Sequence, residues 1–84
     1  MKKIYLIQYS IEEDSKIRER IKLFGTWMSY FPRSWIIESE LTAKEIYEKI
    51  SVDHEKDRIL IMELNKNNYW GVMPKEAWEW ISKR

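Results

Sequence analysis

The 84-residue chain has no cysteine, one histidine, two glycines and two prolines. Without cysteine there is no disulfide framework, no thiolate nucleophile and no cysteine-bound metal, and a reducing compartment suits it. The lone His54 sits among Asp53, Glu55 and Asp57 with no second histidine at ligand spacing, so it reads as a solvated loop residue. No apolar run approaches the roughly 20 residues that a membrane-spanning helix needs. The basic and then apolar start, Met1 to Ile7, is cut off at Gln8, too early for a secretory leader. A soluble, cytoplasmic protein is expected. Charge of one sign is lacking as well: 15 Lys and Arg face 14 Asp and Glu, a net +1, which argues against coating nucleic acid by bulk charge.

What the chain has is rings. Five Trp and five Tyr in one short domain suggest a buried interface as well as a core. At this length a single domain is expected, with a core over about residues 3–64 and an extension over 69–84.

Residues 3–9 read as a strand. Ile17, Ile21 and Phe24 recur at helical spacing over 15–24, with Asp14 or Ser15 as cap and Gly25 as stop. Strands follow at 27–31 and 34–39, joined by a Pro32-Arg33 turn. Thr42 and Glu45 form a capping box before a helix whose apolar stripe is Ala43, Ile46, Tyr47 and Ile50. After a polar turn, 58–64 is a strong strand. Residues 69–72 read as a short strand or extended arm, and Pro74 opens a Trp-rich helix through Ile81. The order βαββαβ is that of the ferredoxin-like α+β fold, with a short β-α tail.

The first and last core strands are apolar on both faces: Ile4 and Leu6 oppose Tyr5, Ile7 and Tyr9, and Leu60, Met62 and Leu64 oppose Ile59 and Ile61. Two helices cover one face, so a second copy of the chain is the expected cover for the other. The surface assigned to that homodimer is Tyr5, Ile7, Tyr9, Ile59 and Ile61, together with Tyr69, Trp70 and Trp80 from the tail. Trp78 is expected to face the domain, leaving Trp80 for a partner.

Several segments together resemble the CRISPR-associated protein 2 family and its SinR-like and virulence-associated protein D relatives. These are Tyr9 closing the first strand, the basic helix from Lys16 ending in Phe24-Gly25, Arg33-Ser34-Trp35-Ile36-Ile37-Glu38, Glu40-Leu41-Thr42 and Asp57-Arg58-Ile59-Leu60-Ile61. The Trp-containing tail from Tyr69 to Ile81 is similar to the SinR-like branch. The resemblance implies a ferredoxin-like homodimer, and in active members a divalent metal held by an Asp directly after the strand's Tyr, for phosphodiester hydrolysis. Here that position is Ser10, and a neutral hydroxyl is a poor ligand for a hard cation. No catalytic residue, metal or other cofactor is therefore expected.

The charges are unevenly distributed. Residues 16–33 hold five basic and one acidic side chain, whereas 38–57 hold seven acidic and three basic. The basic segment interleaves with Trp27, Tyr30, Phe31 and Trp35, a pattern suited to phosphates and stacked bases. Lys16, Arg20 and Arg33 are the expected phosphate contacts, with Tyr30 or Trp35 for stacking; the competing reading is a solvated helix face over core aromatics. The leading expectation is a non-catalytic dimer holding nucleic acid or a nucleotide. One alternative is a small interaction protein of phage or toxin–antitoxin type, using the acidic side or the Trp-rich tail to block a protein partner or sequester a signalling nucleotide. Another is a weak metal-dependent nuclease with its ligand shifted to Glu12, Glu13 or Asp14. Ser10 as a nucleophile lacks a local base and reads as a turn residue.

Overall fold

The computed structural model describes residues 1–50 and 56–84. His54 and Asp53 lie outside them. Four strands and three helices follow in the order β1 (Lys3–Tyr9), α1 (Ser15–Lys22), β2 (Trp27–Phe31), β3 (Ser34–Ser39), α2 (Ala43–Ile50), β4 (Ile59–Glu63) and α3 (Lys75–Ser82). The sheet order is β2-β3-β1-β4, every neighbouring pair antiparallel. This is the split βαββαβ arrangement of a ferredoxin-like α+β fold. No helix among the described residues is long and apolar enough to cross a membrane.

Register decides which residues share a face. Tyr5 pairs with Ile37 and Glu63, Ile7 with Trp35 and Ile61, and Tyr9 with Ile59. These residues point toward α1 and α2. Ile17 and Ile21 of α1 and Ile46 and Ile50 of α2 close over them to form the core, with Ile59 and Ile61 packed at its margin. The Tyr5 hydroxyl reaches the Leu41 carbonyl at 2.8 Å, so its polar end is satisfied inside. Tyr5, Ile7 and Tyr9 are thus intramolecular core, with Ile59 and Ile61 partly buried against it. This corrects the expected place of Tyr5, Ile7 and Tyr9 at a subunit boundary. They are consumed because two helices of eight residues need a wide apolar floor, and the β1–β4 pair supplies it.

The opposite face carries Ile4, Leu6, Met28, Ile36, Leu60 and Met62 by the same alternation. Part of it is covered by the chain itself. Ile4, Met28 and the α3 residue Ala77 are buried, and Met73 lines a groove with Leu6, Met28 and Ile36. Arg84 anchors the end of the tail: its Nε lies 3.8 Å from Glu38 Oε2, with both side chains largely buried, and its guanidinium lies 4.0 Å from the Trp80 ring centroid. Trp80 is therefore occupied within its own chain. The tail thus covers part of this face, and Leu60 and Met62 stay half-exposed at 49% and 52%.

Of the two forms expected for residues 69–72, the strand is absent and the arm is found, and the start of α3 differs by one residue. Residues 69–72 form no strand; Tyr69 instead stacks on Trp78 of α3, with ring centroids 5.6 Å apart and planes 15° from parallel, so the arm packs on its helix. Pro74, with extended ψ of 152°, caps α3 from outside rather than opening it. The α2 capping box forms as expected: Thr42 N donates to Glu45 Oε1 at 3.0 Å, and Glu45 N to Thr42 Oγ1 at 3.2 Å.

Candidate functional site

Helix α1 buries Ile17 and Ile21, four residues apart, and this fixes where its charges go. Lys16 and Arg20 lie on one flank of that stripe, and Arg18 and Lys22 on the other. Arg20 turns toward α2, donating from Nη1 to the Ile50 carbonyl at 2.6 Å. Arg18 and Lys22 turn toward the β2–β3 hairpin. There they line a cleft of 350 Å³ with Tyr9, Asp14, Trp27, Phe31, Arg33 and Trp35.

Arg33 comes from the hairpin turn and is the one described non-glycine residue with positive φ, 54°. Its Nε donates to the Ile11 carbonyl at 3.0 Å, tying the turn to the loop before α1. The floor is a chain of hydrogen bonds: Trp35 Nε1 donates to the Tyr9 hydroxyl at 3.2 Å, and that hydroxyl donates to Asp14 Oδ2 at 2.6 Å. Burial and the Asp14 hydrogen bond push the Tyr9 phenol up to about 12, outweighing the opposing Trp35 hydrogen bond and Arg18 charge. Tyr9 remains a neutral donor. Asp14 occupies the N-cap position without capping; its carboxylate is used on Tyr9 instead. Glu13 bonds Ser15, accepting from its hydroxyl at 2.8 Å.

Trp27 forms one wall. It meets Trp35 edge-on at 4.9 Å, Lys22 Nζ lies 5.7 Å from its centroid, and 39% of its surface is open. Phe31 is also exposed. The cleft thus brings three cations and one carboxylate together with the partly exposed rings of Trp27 and Phe31, a combination suited to taking up phosphate and base together.

Of the expected contacts, Arg33 is in this cleft. Trp35 is there too, but buried as floor, so stacking on it is corrected: paired with Ile7 in the middle of the sheet, its ring belongs to the core. Tyr30 is on the other side, in the groove with Leu6, Met28, Ile36 and Met73, because it lies two residues from Met28 on β2 and so shares that residue's face. Arg20 is directed away, and Lys16 is exposed outside the cleft. Arg18, Lys22 and Trp27, which the fold adds, are not among the contacts expected from the sequence. The Ile17–Ile21 spacing separates the two flanks in the sequence, but only the fold shows that residues 18 and 22 lie on the side of the hairpin.

Ser10 is exposed, its backbone N donating to the Arg58 carbonyl at 3.0 Å. Among the described residues, no three His, Asp or Glu side chains come together as a metal site. The chain matches no family model, no curated protein and no solved structure.

Proposed function

We propose that this chain is a non-catalytic binding protein of the CRISPR-associated protein 2-like type, holding single-stranded nucleic acid or a nucleotide in the Arg18–Lys22–Arg33 cleft. The observation that carries this reading is the convergence of three cations, from a helix and a hairpin turn, beside the accessible ring of Trp27. Ser10, where an active member has its metal-binding Asp, favours holding over cutting.

Binding of a short fluorescent oligonucleotide as a function of salt tests it. Three phosphate contacts on a single strand correspond to a slope of log K against log salt of about −2. Arg18→Gln or Lys22→Gln lowers that slope by about 0.7 each. A salt-independent affinity, or none at all, contradicts the reading.

The homodimer belongs to the same proposal but on different residues. Strand β4 pairs only with β1 among the described strands, so its outer edge is free beside exposed Leu60 and Met62. A protein-binding role is favoured by one separate feature: Trp70 is fully exposed on the arm, beside Tyr69 and Trp78.

A further inference from the structure

The cleft's charge and size narrow its ligand beyond nucleic acid in general. Its ionic side chains are Arg18, Lys22, Arg33 and Asp14, a local net of +2. A phosphodiester carries one negative charge, whereas a phosphomonoester carries about 1.5 to 2 near neutral pH. Its 350 Å³ is near the lower end of the roughly 300–1,000 Å³ typical of small-molecule sites, enough for about one nucleotide and not a run of them.

The turn supplies an independent sign. Residue 33 adopts a left-handed conformation that glycine takes without penalty, yet it is an arginine. A bulky side chain held in such a region points to a site that needs that side chain. Its Nε is committed to Ile11, which fixes the plane of the guanidinium and leaves the terminal nitrogens as a fork. A fork beside Arg18 and Lys22 matches the several oxygens of a terminal phosphate better than the two free oxygens of an internal one.

The geometry points to a phosphomonoester adjoining a base, either a free nucleoside monophosphate or the phosphorylated end of a strand. In this arrangement Arg33, Arg18 and Lys22 hold the dianion, and Trp27 takes the base. The inference rests on the cleft being the nucleic-acid site.

The test compares one short single-stranded oligonucleotide in three forms, with its 5′ end as phosphate, as phosphate methyl ester and as hydroxyl, alongside a nucleoside monophosphate. The 5′-phosphate form is expected to bind about tenfold tighter than the other two. That advantage is expected to vanish in Arg18→Gln and in Lys22→Gln, each checked for an unchanged thermal transition. If the monophosphate alone competes equally, the ligand is a free nucleotide; if the phosphorylated strand is tighter, it is a strand end. Equal binding of all three oligonucleotides overturns the inference and leaves the cleft reading standing. An advantage that persists in both folded variants also overturns it. Binding of none of the probes overturns both.

Discussion

The Tyr9 hydroxyl donates to Asp14 Oδ2 at 2.6 Å while accepting from Trp35 Nε1 at 3.2 Å, which joins the end of β1, the N-cap position of α1 and the start of β3. Removing the hydroxyl in Tyr9→Phe leaves the buried indole N–H without its partner. The expected loss is about 2 kcal/mol in urea-induced unfolding, within the range for an orphaned buried donor. A change near zero would mean that the link holds nothing together.

The same phenol gives an alkaline signature. Its folded value is raised from 10 to about 12, so the folded state holds this proton more tightly than the unfolded chain does. The stabilisation is fully present below pH 10 and is lost as pH rises toward 12. Wild type is expected to lose stability over that interval more steeply than Tyr9→Phe, measured by chemical denaturation at each pH. Parallel curves would show that Tyr9 titrates normally.

Arg33→Asn separates fold from function. Asparagine tolerates the left-handed region, so the change loses chiefly the Ile11 hydrogen bond, about 1 kcal/mol. Oligonucleotide affinity is expected to fall about tenfold while the protein stays folded, since a fork contact to phosphate is charge-assisted. Unchanged affinity would remove Arg33 from the site.

Much of the fold was legible because its signals are local. The Thr42–Glu45 box, the Ile17–Ile21 spacing and the alternation in β1 each need only a few neighbouring residues. The sequence pattern also showed that both sheet faces are apolar. It did not show that the second face is covered in part by the tail, since that depends on Arg84 meeting Glu38, 46 positions away in the chain. The site was half legible for a similar reason. Composition points to the right segment, but choosing Arg18 and Lys22 over Lys16 and Arg20 requires knowing that the Lys16–Arg20 flank is the one beside α2. Trp35 looked available for stacking because alternation alone does not say which face the helices cover.

The α2 cap is a purely local test. Thr42→Ala removes the hydroxyl that accepts from Glu45 N and is expected to cost about 1 kcal/mol. The Thr42 backbone N–H holds the Glu45 carboxyl below its ordinary value, helped by the Thr42 hydroxyl. That contribution is present above the unfolded value and is lost as pH falls through the folded one; alanine keeps the backbone N–H, so only the hydroxyl's share makes the difference between wild type and Thr42→Ala shrink slightly in acid. Denaturant midpoints at neutral and acid pH check both statements.

For association, Met62→Lys on the open face beside the free β4 edge is expected to turn a dimer into a monomer without unfolding it, read by light scattering at micromolar concentration. An unchanged dimer would move the contact elsewhere.

The most direct measurement is a two-dimensional NMR titration of the ¹⁵N-labelled protein with a short 5′-phosphorylated oligonucleotide. The indole N–H of Trp27 and the backbone amides of Arg18, Lys22 and Arg33 should shift together and saturate on one curve, while Lys16 and the Trp70 indole stay still. Shifts centred on Lys16, on the Trp70 arm, or nowhere would contradict the assignment of this cleft.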